Sequence, residues 1–356
     1  MFNTSLTNNR FSSQLLYWFD QHGRHDLPWQ HPRSPYRVWL AEIMLQQTQV
    51  QTVIAYFNRF ITRFPEITDL AAASPDDVMR QWAGLGYYAR ARNLHQTAQI
   101  ICQHYAGQFP QDAAALEQLP GIGRSTAAAI LAQAFDLRHC ILDGNVKRVL
   151  ARYHGVQGWP GERKVQDLLW RYAEHHTPQQ RIVDYTQGIM DMGATVCTRS
   201  KPRCHTCPVS ADCYAYVNNC ATTLPARKPT KVLPTRATRM LVMRDTSGRV
   251  LLEKRPPSGI WGSLWSLPEL QLDVDVQEEC RHRWGFSIAA LNDGMTFRHT
   301  FSHYHLDITP CYITIKNPGF CVMEQDRWLW YNNALSERPG LPAPVTAILN
   351  QMPENN

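Results

Sequence analysis

The sequence predicts a mostly α-helical N-terminal region joined to a smaller α+β domain. Three observations carry this. Apolar residues recur at helical spacing through residues 11–224, where strand-like alternation is nearly absent. Residues 224–234 (LPARKPTKVLP) carry three prolines and three basic residues and read as an extended linker. Beyond it the period changes to two, and turn signals punctuate short β-rich runs. The expected organisation is a helical domain over 1–224, a linker over 225–234 and an α+β domain over 235–356.

Each element has its own signal. Phe11, Leu15, Leu16, Trp18 and Phe19 mark the apolar face of a first helix. Residues 36–64 form a long helical stretch with an expected break near Gln47 and Thr48. Ser74-Pro75-Asp76-Asp77 places a capping serine before a proline at the first helical position. Gly84-Leu85-Gly86 interrupts the chain before a helix over 88–105. Further helices are expected over 116–119, 125–135, 146–154, 162–174 and 178–192, the last entered through Thr177-Pro178. In the second domain, 238–244 and 249–254 read as strands joined by the turn Asp245-Thr246-Ser247-Gly248. A helix over 274–284, strands over 296–301, 304–315 and 327–331, and a closing helix over 342–351 complete the reading.

Composition bounds the function. At 356 residues, the chain has ample core for two or three domains. A net charge of +6 suits a polyanionic partner without requiring one. The first ten residues (MFNTSLTNNR) lack the apolar core of a signal peptide, and no run approaches a membrane span. A cytoplasmic, nucleoid-associated monomer is expected, with no membrane partner.

Four cysteines, Cys197, Cys204, Cys207 and Cys213, stand in a C-x6-C-x2-C-x5-C run within a basic loop bearing Arg199, Lys201 and Arg203. A disulfide set does not suit a chain without an export signal. Wide, uneven spacing suits a cuboidal iron–sulfur cluster, although thiolates alone do not separate that from zinc. The other cysteines, Cys102, Cys140, Cys220, Cys280, Cys311 and Cys321, are scattered and read as packing or spare thiols.

Two carboxylates draw attention. Glu42 has Val38, Trp39, Leu45 and Gln46 as its helical neighbours, so lost hydration should raise its pKa and suit it to act as a general acid. The bland alternative is a glutamate reaching solvent or capping a neighbouring helix. Asp143, in Leu142-Asp143-Gly144-Asn145-Val146-Lys147-Arg148, is either part of a turn before a cap at Asn145 or an ionised group at a helix mouth. A protonated and an ionised carboxyl together supply the logic of glycoside hydrolysis. The run from Leu119 to Ile130 (LPGIGRSTAAAI) reads as two helices joined by a glycine turn whose amides suit an anion such as a DNA phosphate.

These motifs carry a family resemblance. Trp39–Thr48 (WLAEIMLQQT), Gly84–Arg92 (GLGYYARAR), the glycine hairpin, Leu142–Val146 and the four cysteines resemble the endonuclease III superfamily of base-excision glycosylases, in its MutY-type branch. The 119–130 run is similar to that superfamily's helix-hairpin-helix motif. The resemblance implies a 4Fe–4S cluster on the four cysteines and removal of adenine mispaired with 8-oxoguanine or guanine in double-stranded DNA. Glu42 and Asp143 would be catalytic, and Arg24, Trp29 and Gln187 would surround the adenine. Leu45, Gln46, Gln47 and Tyr87 would probe the duplex. Gly121, Gly123, Ser125, Asn145 and Lys147 would lie along the DNA, and other repair proteins are possible partners.

The resemblance extends past the linker. Residues 258–269 (SGIWGSLWSLPE) match its second-domain signature, and 297–303 (FRHTFSH) match the segment sensing oxidised guanine, where Ser302 and His303 would contact the DNA. An alternative for His299, His303 and His305 is solvent-facing alternation along a strand. The second domain resembles the Nudix pyrophosphohydrolase fold, but residues 276–285 lack that fold's R-E-x-x-E-E metal segment, implying recognition without hydrolysis. Strand-cutting relatives carry a lysine two residues after the second hairpin glycine; here that residue is Ser125, which implies a monofunctional enzyme. A glycosylase/lyase and a non-enzymatic iron–sulfur DNA-binding protein are the competing readings.

Overall fold

The computed structural model describes residues 10–229, 232–317, 327–332 and 339–352. Cys321 and nine of the first ten residues lie outside them. The chain divides into two compact units. One comprises residues up to Ala72 and from Asn93 to the linker; the other comprises Ala73–Arg92 and the residues after the linker. Thus the Ser74-Pro75 helix and the Gly84–Gly86 turn, which the sequence places in the first domain, cluster with the second unit.

The first unit is helical throughout its described residues. Helices α1 (Arg10–His22), α2 (Pro35–Leu45), α3 (Val50–Arg63) and α4 (Ile67–Ala72) precede the excursion. Ser34 caps α2, its hydroxyl accepting the Arg37 amide at 3.3 Å, with Pro35 at the first position. The break between α2 and α3 falls where expected: Gln47 adopts φ 58°, a left-handed conformation that ends the first helix and turns the chain into the second.

After α5 (Pro75–Trp82), α6 (Ala89–Tyr105) leads to α7 (Ala113–Glu117), α8 (Arg124–Phe135), α9 (Gly144–His154), α10 (Arg163–His176) and α11 (Ile182–Thr195). Three expectations are corrected. The helix expected over 116–119 is α7, which starts earlier because Asp112 caps it, accepting the Ala115 amide at 2.8 Å. The last long helix begins at Ile182, after Arg181 in a left-handed conformation, and Thr177-Pro178 does not open it. Asp143, not Asn145, caps α9.

One core cluster binds α1, α8, α9, α10 and α11 through Phe11, Leu15, Ala128, Leu150, Leu169 and Met192. After α11 the cysteine loop makes two short 3-10 turns and ends in α12 (Tyr214–Val217).

In the second unit, α5 is capped by Ser74, whose hydroxyl accepts the Asp77 amide at 3.2 Å. The strands β1 (Thr235–Arg244), β2 (Val250–Lys254), β3 (Trp265–Ser266), β4 (Glu269–Leu270), β5 (Ser287–Asp293), β6 (Phe297–Thr300), β7 (His305–Asn317) and β8 (Trp328–Tyr331) form one mixed sheet. Its centre is the parallel pair β1–β7, in register from Thr235↔His305 to Arg244↔Thr314. Asp245 builds the β1–β2 turn by accepting the Ser247 and Arg249 amides. Helix α13 (Val276–Trp284), capped by Asp275, buries Cys280 and Trp284 against Leu241, Met243 and Ile313. Helix α14 (Ala343–Asn350) closes the unit. Strands β3, β4 and β5 were not expected; β5 is mostly exposed, and its apolar residues 288–291 run together without alternation. No helix among the described residues is long and apolar enough to cross a membrane.

Candidate active site

The first unit contains a cavity of about 800 Å³. Glu42 reaches it from α2 and Asp143 from the mouth of α9, so residues 101 positions apart in the chain open onto one space. Glu42 caps no helix and is partly exposed, its side chain lining the cavity. Gln133 of α8 donates Nε2–H to its Oε1 at 3.2 Å. Burial, and then the negative charge of Asp143, push the Glu42 carboxyl up to about 7.

Asp143 is held differently. Its Oδ1 accepts the Val146 amide at 2.7 Å. Burial raises its pKa, while the amides of Val146 and Asn145 and the charges of Arg148 and Lys147 oppose the rise. Amides at a helix start favour a carboxylate. These amides and cations favour the Asp143 carboxylate, and negative charge there raises the Glu42 carboxyl.

Arg148 fixes the α9 mouth. It donates to Asn145 Oδ1 at 2.8 Å, to the Gly193 carbonyl at 2.7 Å and to the Cys197 carbonyl at 2.7 Å. Gly193 is required there, since a Cβ on it would stand 2.7 Å from Asn145 Cβ. Ser125, at the start of α8, accepts the Leu142 amide at 3.0 Å.

The other wall holds the residues implied to surround the base. Arg24, Trp29 and Gln187 all line the cavity. Trp29 is buried and meets Phe57 edge-on. Asp191, 1% exposed and unmarked in the sequence reading, accepts from Arg24 Nη2 at 2.6 Å, from the Arg24 amide at 2.7 Å and from Gln187 Nε2 at 2.7 Å. Leu45, Gln46, Gln47 and Asn145 also line the cavity, whereas Lys147 sits on α9 away from it.

In the hairpin turn, Gly121 has φ +79° and a Cβ there would meet Asn93 at 3.0 Å. Gly123 has an ordinary φ of −98°, and a Cβ there would meet nothing within 4 Å.

The four cysteines of the basic run line one small cavity, and all are free thiols. Cys207 is pushed up to about 12 by burial and by the neighbouring Cys197, Cys213 and Cys204. Among the described residues, no three His, Cys, Asp or Glu side chains gather tightly enough to share one metal ion. Arg199, Lys201 and Arg203 are exposed on this loop. Arg152, 2% exposed, organises it from within, donating to the carbonyls of Leu224, Cys197, Thr198 and Arg199 and to Cys197 Sγ at 3.3 Å.

In the second unit, two segments singled out by sequence meet. Trp261 packs on His299 at 5.7 Å and on Phe301 at 5.2 Å, and Phe301 lies 4.8 Å from Tyr304. This aromatic group carries Ser302 and His303, both exposed, at the tip of the β6–β7 turn. His299 and His305 do not simply face solvent: one packs against Trp261, and the other pairs with Thr300 Oγ1 at 2.9 Å. Tyr87 is 50% exposed, with φ 48°.

Residues 40–175 match the HhH-GPD superfamily of base-excision DNA repair proteins, and residues 239–351 match the NUDIX domain. An adenine DNA glycosylase of Buchnera aphidicola (subsp. Baizongia pistaciae) is 38% identical over 351 residues, covering 99% of both chains. The chain belongs to the adenine DNA glycosylase family. The mouse adenine DNA glycosylase is 34% identical over 90% of this chain and 73% of its own length. Among solved structures, a thermostable thymine-DNA glycosylase superposes with a TM-score of 0.54 at 29% identity, covering 59% of this chain and 97% of that one. An endonuclease III–DNA complex, 20% identical with a TM-score of 0.51, shares the fold of the first unit. As a member of this family, the protein is a DNA glycosylase of base-excision repair.

Proposed function

We propose that this glycosylase hydrolyses the N-glycosidic bond of adenine paired with 8-oxoguanine or guanine, and leaves the strand uncut. The observation that carries the reading is the pair Glu42 and Asp143: two carboxyls open onto one cavity with unequal hold on their protons. The adenine is flipped out of the duplex into the cavity. Trp29 offers an apolar wall, and Arg24 and Gln187, held by Asp191, offer polar edges. Glu42 delivers its proton to N7, making the base a better leaving group. Asp143, ionised at the mouth of α9, faces the positive charge that grows at C1′. Water then completes the hydrolysis.

Absence of strand cleavage is supported by Ser125, which stands in the cavity lining where strand-cutting relatives carry a lysine. The exposed Ser302 and His303, on a turn braced by Trp261 and Phe301, would read the oxidised edge of guanine. Arg199, Lys201 and Arg203 would meet phosphates. Cys197, Cys204, Cys207 and Cys213 fit a 4Fe–4S cluster, since four unpaired soft donors surround one cavity without closing on a single ion. When bound, it would tie the loop into one rigid body.

The test is incubation with duplexes carrying adenine opposite 8-oxoguanine, with and without later alkali. Cleavage only after alkali is expected. Direct strand cleavage, or no released adenine, would defeat the reading.

A further inference from the structure

Gln133 is a buried polar side chain that the chemistry above does not use. It lies on α8, and positions 125, 129 and 133 fall on one face of that helix. At one end of this face the Ser125 hydroxyl accepts the Leu142 amide at 3.0 Å, one residue before Asp143. Ala129, 2% exposed, fills the middle. At the other end Gln133, 4% exposed, reaches Glu42 Oε1 at 3.2 Å. Helices α2 and α8 pack directly on each other. A single helix face thus touches both segments that carry the carboxyls.

A carboxyl can hold its proton on either oxygen, and only one placement is useful to an acid catalyst. An oxygen carrying the proton is a poor acceptor, so an N–H donated to Oε1 disfavours a proton there. We propose that Gln133 is a positioning residue which, by donating to Oε1, keeps the Glu42 proton on Oε2 for delivery into the cavity. This rests on the reading of Glu42 as the acid. The groups acting on Glu42 are Asp143, which raises its pKa, and Gln133, which lowers it. Helix α3, also packed on α2, buries the apolar Val53 and Phe57. The cavity cations Arg24 and Arg148 are engaged with Asp191 and with Asn145 and backbone carbonyls.

The experiment is single-turnover adenine release between about pH 5 and 9 for the wild-type protein, Gln133→Met and Gln133→Glu. The rate requires protonated Glu42, so it declines on the alkaline side. Gln133→Met removes a donor that favours the carboxylate and should move that decline about half a pH unit or more upward, with the acid plateau about three- to ten-fold lower. Gln133→Glu conserves shape, places a second acid beside Glu42 and should move the decline further in the same direction. It carries the test if the methionine variant does not fold. The carbon-13 titration of the Glu42 carboxyl, assigned by difference from Glu42→Gln, should move alike without any turnover. If the curves and titrations superpose on wild type after scaling, Gln133 only fills space and the proposal is overturned. A wild-type protein that releases no adenine would instead overturn the functional reading on which it stands.

Discussion

The Ser125 hydroxyl accepts the Leu142 amide, so the first turn of α8 holds the loop that delivers Asp143. The same side chain lines the cavity. Ser125→Lys would place an amine in a space that otherwise has none. Strand breaks without alkali are expected to appear, with a borohydride-trappable enzyme–DNA adduct, while base release slows about ten-fold because Asp143 loses its support. Gel analysis with and without alkali checks this; unchanged alkali dependence would mean that the position does not face C1′.

Glu42→Gln is expected to abolish adenine release and spare DNA binding. It should also stabilise the protein at alkaline pH. The ordinary carboxyl value is 4.5, and the folded protein raises it to about 7. Below 4.5 both states are protonated and nothing is lost. Between the two values the folded state holds the proton more tightly, so stability falls as pH rises, reaching a cost on the order of 3 kcal/mol above pH 7. Glutamine escapes that cost. Thermal melts at about pH 5 and 8 should show the variant's advantage only at the higher pH.

Gly193→Ala drives a methyl group into Asn145 Cβ. The expected loss is about 1–3 kcal/mol of stability and ten-fold or more of activity, through displacement of the α9 mouth. Urea unfolding and single-turnover rates measure the two. Wild-type activity in this variant would show that Asp143 tolerates movement of its cap.

Arg152→Met retains bulk but strips four carbonyls of a charged donor. A loss of about 3–5 kcal/mol is expected, with reduced iron and sulfide content and weaker visible absorption in the purified protein. Full iron content with native stability would show that the cysteine loop organises itself.

Ser302→Ala with His303→Ala should narrow the preference for adenine opposite 8-oxoguanine over adenine opposite guanine by about ten-fold. The fold of the second unit should be unaffected, because both side chains are exposed. Competition between the two duplexes reads this out, and an unchanged ratio would place the discrimination elsewhere.

Much of the fold was legible because helix faces, capping serines and proline positions act locally. Ser74 and the break at Gln47 follow from short-range hydrogen bonding and sterics. The exceptions share a cause. Asn145 and Asp143 are both good caps, and which one caps α9 depends on Arg148 drawing the Asn145 side chain aside. Strand β5 escapes a period-two reading because the residues it packs on the core, Ile288 and Leu291, stand three apart across a register shift. Asp191, Gln133 and Arg152 bear no local mark, since each gains its meaning from partners 45 or more residues away.

The sequence by itself determined the helical and mixed α+β halves and the four thiols, and offered Glu42 and Asp143 as candidates. Residue type and spacing were enough for these. Tertiary structure alone decided that Glu42 and Asp143 share one cavity, where burial raises both carboxyls and the charge of Asp143 raises Glu42 further. Burial and long-range charge set proton affinity, and neither exists until α2, α8 and α9 have packed together.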